Sequence, residues 1–446
     1  MTAKTLRAMP VIFGLVSACP ILVADVAMAS SEWEQTHKLT ADDGAPLDCF
    51  GNTAIDGIIA IVGAMGHDSF SGKVYVFDAM SGEQIRTLVA ADTEYGDWFG
   101  GSLAICGDTA IIGGDMNPDW CGAAYLFDVT TGEQLGKLTA EDAAPFAYFG
   151  TAVAIRDDVV VVGAYGDAHA GYRSGAAYLF DVTTGQQLHK LMADDAAPQD
   201  WFGKAVAVAG DIALVGASAD DDAGDGSGSV YVFDVLTGQQ LRKLIAEDAA
   251  AFDCFGDWVA ISDNVAIIGA PGDGDGTGAA YLFNVVTGQQ LHKLTADDGA
   301  AEDGFGGCVA ISGQIAIVGA PNYDDAGNES GSAYLFDITT GQQLQKLNAD
   351  DADAQEYFGA SASISGHLAI VGAPWDDDNG QLAGAAYIFE KEQCPADFDG
   401  DGDVDTADLL HLLGCWGTGC GDIDGDGDTD TADLLALLAA WGECGG

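Results

Sequence analysis

Apolar and polar positions repeat with a period of about 50 residues between residues 33 and 390. Each period holds four short runs that are apolar or alternate apolar with polar side chains, which is the pattern of β-strands. In the period that begins at Phe305, the predicted strands are Cys308 to Ile311, Ile315 to Val318, Ser332 to Phe336 and Gln343 to Leu347. Because the last run alternates, we expect Lys346 to point outward.

Tight turns connect these strands. The segment Asp337-Ile338-Thr339-Thr340-Gly341 predicts a hairpin between the third and fourth strands, with Gly341 supplying a positive φ. The Asp337 side chain can accept hydrogen bonds from the backbone amides of the turn. The pattern therefore predicts one small antiparallel sheet in every period.

A Phe-Gly pair marks each of the seven periods. The pairs are Phe50-Gly51, Phe99-Gly100, Phe149-Gly150, Phe202-Gly203, Phe255-Gly256, Phe305-Gly306 and Phe358-Gly359. Seven successive four-stranded units are typical of a β-propeller. The predicted fold class is therefore all-β, a seven-bladed propeller followed by a small α-helical module.

The two ends of the repeat region complete each other. The seventh unit stops at Tyr387-Ile388-Phe389-Glu390 and lacks a fourth strand, whereas residues 33–43 align with the fourth strand of the sixth unit. We therefore predict that residues 33–43 form the outer strand of the last blade and close a propeller that spans residues 33–390.

The repeats resemble the FG-GAP repeats of integrin α-subunit propellers. The resemblance is carried by the seven Phe-Gly pairs and by Gly269-Ala270-Pro271, Gly319-Ala320-Pro321 and Gly372-Ala373-Pro374. It implies a propeller that serves as an interaction platform. Integrin-type repeats place Asp-x-Asp-x-Asp-Gly calcium loops between the first two strands, but here that link is a turn such as Ser312-Gly313. We therefore expect no calcium sites in the propeller.

The charge is strongly negative, with 70 Asp and Glu residues against 15 Lys and Arg residues and a formal net charge of −55. This charge disfavours nucleic acid and anionic lipid as partners. In a meander, the loops between strands two and three share one face with the links between blades. Both connections are acidic, as in Asp220-Asp221-Asp222 and Asp194-Asp195. This face is either a solvated rim or a surface for cations or a partner.

Residues 1–29 have the features of a signal peptide. A charged start precedes the apolar run Met9 to Ala18, and Ala27-Met28-Ala29 fits a cleavage site, which predicts secretion. Alternatively, Val16-Ser17-Ala18-Cys19 resembles a lipoprotein signal, in which Cys19 would carry a lipid anchor. No later segment is apolar enough to span a bilayer. We expect an extracellular or cell-surface monomer.

Two acidic loops lie in a C-terminal module over residues 394–444. Each has Asp at loop positions 1, 3, 5, 7, 9 and 12 and Gly at position 6, the spacing of a calcium loop. The predicted ligands of one Ca²⁺ are Asp397, Asp399, Asp401, Asp403, Asp405 and Asp408, and those of a second are Asp422, Asp424, Asp426, Asp428, Asp430 and Asp433. At position 7, the backbone carbonyl would be the ligand.

A helix is predicted after each loop. The apolar stripes are Leu409, Leu410, Leu412, Leu413 and Trp416, and Leu434, Leu435, Leu437, Leu438 and Trp441. We interpret most of these residues as the core between the two helices. The loop–helix duplication resembles dockerin modules, which implies binding to a cohesin domain or anchoring of an exported protein. Ala407 and Ala432 depart from the usual hydroxyl pair of that family. The partner is therefore left open between a cohesin-like or envelope protein and an extracellular glycan.

The ten cysteines fit an oxidising compartment. Four of them, Cys394, Cys415, Cys420 and Cys444, flank the two acidic loops and are predicted to form disulfides whose pairing the sequence leaves open. Among the propeller cysteines we expect at least one free, buried thiol.

No catalytic motif stands out, since neither Gly-x-Ser-x-Gly nor His-Glu-x-x-His occurs. Tyr178 to Gly185 resembles the blade repeat of pyrroloquinoline-quinone dehydrogenases, but the docking tryptophan of that family is absent. Only Trp120 with the Cys121 loop and Tyr172-Arg173 break the repeat. We therefore expect a binding or adhesion protein that is not an enzyme. The alternative is a dockerin-borne, carbohydrate-active component of polysaccharide degradation.

Overall fold

The computed structural model describes residues 33–114, 120–391, 396, 398, 403–418, 420–423 and 429–443. Outside them lie the predicted signal peptide, Cys19, Cys394, Cys444 and the predicted ligands Asp397, Asp399, Asp401, Asp424, Asp426 and Asp428. The chain divides into two compact units, Glu32–Pro395 and a second that contains Ala396–Gly446.

The first unit consists of seven antiparallel sheets of four strands each. From the inner to the outer strand they are Phe50–Asp56, Ile59–Ala64, Lys73–Asp78 and Gln84–Leu88 (β2–β5); Ser102–Cys106, Thr109–Gly114, Ala123–Asp128 and Gln134–Leu138 (β6–β9); Val153–Arg156, Val159–Ala164, Ala176–Asp181 and Gln187–Leu191 (β10–β13); Phe202–Ala209, Ile212–Ala217, Ser229–Asp234 and Gln240–Leu244 (β14–β17); Val259–Ser262, Val265–Ala270, Ala279–Asn284 and Gln289–Leu294 (β18–β21); Cys308–Ser312, Ile315–Ala320, Ser332–Asp337 and Gln343–Leu347 (β22–β25); and Ser361–Ser365, Leu368–Ala373, Ala385–Lys391 and Trp33–Leu39 (β26–β28 and β1). Single turns at His67–Phe70 (α1) and Asp273–Gly276 (α2) lie in loops between second and third strands.

The sheets are the blades of a closed propeller. The inner strand of each blade contacts the inner strands of both neighbours, around all seven blades. Hydrophobic cores fill the spaces between successive blades. The Phe of each Phe-Gly pair packs there. Phe50, for example, lies edge-on to Tyr75 and Phe77, with ring centroids 5.5 and 5.9 Å away. The predicted seven-bladed β-propeller is confirmed.

The N-terminal strand completes the last blade, as predicted. β1 pairs antiparallel with β28, so that Trp33 lies opposite Lys391 and Leu39 lies opposite Ala386. The strand ends at Leu39 and not at Asp43, because the following residues turn away and Asp43 bonds Lys73 of the first blade at 2.6 Å.

The Gly of the Phe-Gly pair permits the close approach of two blades. Gly100 has a φ of 91°, and its N–H donates to the Gly113 carbonyl at 3.0 Å. A Cβ on Gly63, in the preceding blade, would lie 2.2 Å from the carbonyl oxygen of Gly100. Larger residues at either position would push the blades apart, which explains why both glycines recur with the repeat.

The hairpin predicted at Asp337 forms. The Oδ1 atom of Asp337 accepts a hydrogen bond from the Thr340 N–H at 2.6 Å, and Gly341 has a φ of 70°. Of the propeller cysteines, Cys308 is buried, and its thiol donates to the Gly359 carbonyl at 3.1 Å, as expected for a free, buried thiol.

The described part of the second unit contains helices Thr406–Gly414 (α3) and Thr431–Ala439 (α4). Short strands Asp403–Val404 (β29) and Gly442–Glu443 (β30) pair with each other. Among the described residues, no helix is long and apolar enough to cross a membrane.

Candidate functional site

One aspartate, one lysine and one buried tyrosine form a cluster in every blade. The Lys–Asp pairs, with Nζ–Oδ distances of 2.6 to 3.0 Å, are Lys73–Asp43, Lys137–Asp92, Lys190–Asp142, Lys243–Asp195, Lys293–Asp248, Lys346–Asp298 and Lys38–Asp351. Each lysine lies over the ring of a third-strand tyrosine, as Lys243 does over Tyr231 at 5.0 Å. We call this set the acid–lysine–tyrosine cluster.

Within the described residues, the cluster of five blades joins the two acidic connections on one face of the propeller. In the fourth blade, Lys243 bonds Asp195 of the blade link and also Asp220 and Asp222 of the loop between strands two and three. Burial opposes the charge on Lys243, but its hydrogen bonds to the three carboxylates outweigh this effect and raise the pKa of the lysine. Many acids on this face are therefore paired with the chain's own lysines.

Lys346 points to the polar side of its strand, as predicted, but loops cover its side chain there. Its side chain lies over the ring of Tyr334 and bonds Asp298 and Asp325, each at 3.0 Å. The alternating pattern correctly places Lys346 on the polar side of its strand. The alternation does not reveal that loops from two connections fold over that side, because those loops are brought there by the blade as a whole.

A second set of carboxylates is buried at the blade junctions. Its members are Asp48, Asp97, Asp200, Asp253, Asp303 and Glu356. Each accepts a backbone N–H from three residues earlier, at 2.5 to 2.9 Å. Burial raises the pKa of Asp200 to about 6 and that of Glu356 to about 7. The sequence-based predictions do not include this set, although an acid two residues before the Phe of six Phe-Gly pairs is a visible signal.

The third blade lacks this carboxylate and carries aromatic side chains instead. Ala147 occupies the position of the acid, and the neighbouring Tyr148 stacks on Tyr165 with a centroid distance of 4.9 Å and an interplanar angle of 15°. Trp120 contacts Tyr148 at 5.5 Å and Phe146 at 6.4 Å. Trp201 contacts Tyr165 at 6.2 Å. We call Phe146, Trp120, Tyr148, Tyr165 and Trp201 the aromatic strip.

Of the five residues in the aromatic strip, only Trp120 is identified from the sequence, as a break in the repeat. The other breaks noted there, Tyr172 and Arg173, lie beside the strip. The Arg173 guanidinium is centred 5.8 Å from the ring centroids of both Tyr148 and Tyr165. Tyr165 is not identified from the sequence, because its contacts with the other rings of the strip form only when neighbouring blades pack together.

The inner strands surround a central channel with a cavity at each end. One cavity, of about 450 Å³, lies at the ends of the strands next to the Phe-Gly pairs and is lined by Asn52, Lys204 and Trp258, among others. The other, of about 640 Å³, lies at the opposite ends and includes Asp56 and Arg156. The first cavity lies at the end of the inner strands that the blade links enter.

In each of the two predicted calcium loops, the structure describes position 2 and positions 8 to 12. Asp408, at position 12, is fully buried and accepts hydrogen bonds from the N–H groups of Phe398 at 2.6 Å and Asp405 at 2.8 Å. Asp433 is also fully buried and accepts hydrogen bonds from the N–H groups of Ile423 at 2.6 Å and Asp430 at 2.7 Å. Positions 2, 9 and 12 thus meet in both loops. Within the described ranges, no group of three or more His, Cys, Asp or Glu residues could hold a metal ion.

Other predicted ligands have different local roles. The Asp405 and Asp430 side chains accept a hydrogen bond from the N–H of Ala407 and Ala432, both at 2.6 Å, and so cap α3 and α4. Asp422 is half-buried at the start of the second loop. For Asp403 the structure describes the backbone alone, and it pairs with that of Glu443.

The interpretation of the two Leu/Trp stripes as core is wrong for most of their residues. Only Leu412 and Leu437 are fully buried. The exposed residues are Leu410, Leu413, Trp416, Leu435, Leu438 and Trp441, with 44 to 70% of each accessible. Two nine-residue helices can enclose only a small common core, so the rest of each stripe faces outward.

One disulfide is present among the described cysteines of this unit. Cys415 and Cys420 are bonded, with their Cα atoms 5.4 Å apart. The bond links the end of α3 to the approach to the second acidic loop. This settles one pairing that the sequence leaves open.

Comparison with known families finds the family described as FG-GAP repeat at residues 33–77, 83–127, 133–180, 186–233, 239–283, 289–336 and 342–389. No curated protein matches the chain. Among solved structures, the computationally designed Ika8 protein is similar at 19% sequence identity and a TM-score of 0.47, over 80% of this chain and 100% of that protein.

Proposed function

The chain belongs to the FG-GAP repeat family, and we propose that it is an exported binding or adhesion protein with two working parts. The propeller presents its acidic face, including the channel mouth, to a ligand. The C-terminal module anchors the protein to a partner and depends on calcium.

The platform role is supported by a face on which repeated contacts hold the loops in place while the exposed side chains vary. The acid–lysine–tyrosine clusters hold a blade-link aspartate in all seven blades. Within the described residues, five of them also hold the loop between strands two and three. The exposed residues between these clusters differ from blade to blade, as the aromatic strip shows. A surface that is held in place by repeated contacts loses little conformational freedom when a ligand binds.

Calcium binding is supported by the described part of both loops. The buried carboxylates of Asp408 and Asp433 draw positions 2 and 9 of their loops toward position 12. The loop sequences supply further acidic oxygens at regular spacing, which suits Ca²⁺ because this ion takes six to eight oxygen ligands. Position 12 and the carboxylates of positions 1, 3 and 5 would hold the ion, together with the position 7 carbonyl.

Anchoring is supported by the exposed side of the two helices. Leu410, Leu413 and Trp416 recur as Leu435, Leu438 and Trp441 in the second copy. Exposed apolar side chains that occur twice in equivalent positions are typical of a protein-binding surface. We propose a cohesin-like or envelope protein as the partner.

Calcium titration of the exported chain by calorimetry tests the module. We expect two bound ions per chain, and one ion after Asp397→Ala with Asp401→Ala. The control replaces two exposed propeller acids, Asp194→Ala with Asp297→Ala, and should retain two ions. Wild-type protein that binds no calcium, or a single ion, would contradict the two-loop proposal.

Anchoring is tested by retention of the protein on its native cell envelope. Leu410→Asp with Leu435→Asp should release the protein while it still binds two calcium ions. Leu135→Asp, an exposed leucine of the propeller, should leave retention unchanged. Equal retention of all three proteins would rule out the helix surface as the anchor.

A further inference from the structure

The seven blade junctions share one backbone conformation but carry different side chains. Comparing them shows which positions can vary without a change in the fold. Three residues at each blade junction have a positive φ, and at every junction the N–H of the third donates to the carbonyl of the first. The N–H of Tyr148 donates to the Trp120 carbonyl, and that of Cys254 to the Gly226 carbonyl, both at 3.1 Å. Around the ring the triplets are Leu382, Leu47 and Cys49; Phe70, Gly96 and Trp98; Trp120, Phe146 and Tyr148; Arg173, Gln199 and Trp201; Gly226, Phe252 and Cys254; Gly276, Glu302 and Gly304; and Glu329, Gln355 and Tyr357.

Aromatic residues are concentrated on one arc of this ring. The junction before the third blade has Trp120, Phe146 and Tyr148, whereas the junction before the sixth has two glycines and Glu302. Glycine serves equally well at these positions, so the fold itself does not require the aromatic rings. Trp120 is 41% exposed and Phe146 is 59% exposed, which leaves apolar ring surface open to solvent.

Two cations lie among these rings. Arg173 is centred 5.8 Å from both Tyr148 and Tyr165, and the Lys204 ammonium lies 5.9 Å from the centroid of Tyr165. Neither cation belongs to the lysines that bond carboxylates in the acid–lysine–tyrosine clusters. Lys204 also lines the channel cavity, so the strip continues toward the channel mouth.

We propose that the aromatic strip binds an uncharged polysaccharide. This inference rests on the proposed role of the propeller as a binding platform and names its ligand class. A sugar ring has an apolar face of C–H groups and an edge of hydroxyls. The exposed rings of Trp120 and Phe146 match the apolar face, and the N–H groups of Arg173 and Lys204 can donate to the hydroxyls.

Shape and charge favour this ligand over others. Of the five rings in contact, Trp120 and Phe146 are exposed, Tyr165 and Trp201 are half-buried, and Tyr148 is buried between them. The accessible rings lie at two neighbouring blade junctions, which suits an extended chain of several sugar units. The net charge of −55 repels acidic polysaccharides. An uncharged chain pays no such penalty, because its contacts depend on stacking and hydrogen bonds.

The test is affinity gel electrophoresis and tryptophan fluorescence of the full chain. The probes are xyloglucan, arabinoxylan, glucomannan, mixed-linkage β-glucan and soluble starch, with polygalacturonate and alginate as charged comparisons. We expect at least one uncharged polymer to bind. Trp120→Ala and Phe146→Ala should each weaken that binding about three- to tenfold, the usual contribution of one aromatic contact.

Phe252→Ala is the matched control. Phe252 occupies the same junction position as Phe146, with a φ of 70° against 64°, and is 64% exposed, but its junction partners are Gly226 and Cys254. This variant should bind like the wild type, and thermal melts should show that all three variants are folded.

Binding to none of the uncharged polymers, or to the charged polymers alone, would overturn the proposal. Uncharged polymer binding that is equal in all variants would overturn the site. A protein ligand that cross-links to Trp120 in the absence of glycan binding would overturn the ligand class and leave the platform proposal standing.

Discussion

At the scale of single residues, carboxylates in this propeller have two opposite environments. Asp43 accepts a hydrogen bond from Lys73, which lowers the pKa of the aspartate. Glu356 is buried at a blade junction, and desolvation raises its pKa to about 7. The first kind of carboxylate stabilises the fold when it is ionised, and the second kind does so when it is protonated.

Glu356→Gln should therefore stabilise the protein at high pH. The pKa of Glu356 is higher in the folded state than the ordinary value near 4.5. The wild type therefore loses stability as the pH rises from about 4.5 to about 7. Gln stays neutral and can still accept the Asp353 N–H. Urea unfolding at pH 8 should show a gain of roughly 1 to 2 kcal/mol for the variant, with little difference at pH 4.5.

The control for this experiment is Glu302→Gln, because Glu302 is exposed and lies just before the junction acid Asp303. It should show no pH-dependent difference from the wild type. A Glu356→Gln variant that is less stable than the wild type at pH 8 would mean that the ionised carboxylate is stabilised in place.

Residue roles were predictable where they depend on local sequence. The hairpin bonds of Asp337 and the helix that begins after Asp405 follow from spacing alone. The lysine contacts and the ring contacts of the aromatic strip join residues that lie in different loops and blade links. Lys243 and Asp195, for example, are 48 positions apart. Their meeting depends on blade geometry that no local pattern encodes.

At the scale of elements, the ring is closed by contacts that every blade repeats. The Oε1 atom of Gln35, in β1, accepts the N–H of Asp350 at 3.0 Å. Gln84, Gln134, Gln187, Gln240, Gln290 and Gln343 make the equivalent bond in the other blades, at 2.9 to 3.2 Å. The closing strand therefore fits the last blade in the same way as an ordinary fourth strand.

Removing residues 33–39 should destabilise the propeller severely. The deletion exposes the edge of β28 and removes Trp33 and Leu39 from two hydrophobic cores. An unpaired edge also promotes association with other chains. We expect the melting temperature to fall by more than about 10 °C, which corresponds to a loss of several kcal/mol in the free energy of unfolding. Size-exclusion chromatography should show oligomers.

A chain that starts at Trp33 is the control and should melt like the protein processed after residue 29. If the chain without residues 33–39 melted normally as a monomer, β1 would not be needed for closure.

The positions of strands and helices along the chain could be predicted from the sequence more reliably than the burial of their side chains. In the unit that begins at Phe305, the observed strands extend the predicted ones by at most two residues. The helices after the acidic loops are also where the pattern puts them. Their burial was predicted wrongly, because an apolar stripe indicates that a face needs a partner without indicating whether the chain itself supplies one.

At the scale of the whole molecule, charge repulsion opposes folding. The clusters pair lysines with acids, but 15 basic residues cannot balance 70 acidic ones. The remaining carboxylates repel one another over distances that salt can screen, since the Debye length falls from about 30 Å at 0.01 M to about 8 Å at 0.15 M.

The melting temperature should therefore rise as NaCl is increased from about 0.01 to 0.15 M and change less beyond that. Differential scanning calorimetry at pH 7 in the presence of a chelator measures this for the propeller without a contribution from calcium. A melting temperature that falls over the same range would mean that the Lys–Asp attractions outweigh the general repulsion.

The pairing of β1 with β28 determines how the propeller would bear a mechanical load. A pull transmitted from the C-terminal side enters the propeller at Lys391, the end of β28, which lies between β27 and β1 in its sheet. Along the strand axis, two hydrogen-bonded ladders resist that pull in parallel, and they must shear together. If the last strand of the chain were instead the outermost strand, the same force could peel it away one bond at a time. Closure by the N-terminal strand thus places the point of tension inside a sheet, as the proposed C-terminal anchoring would require.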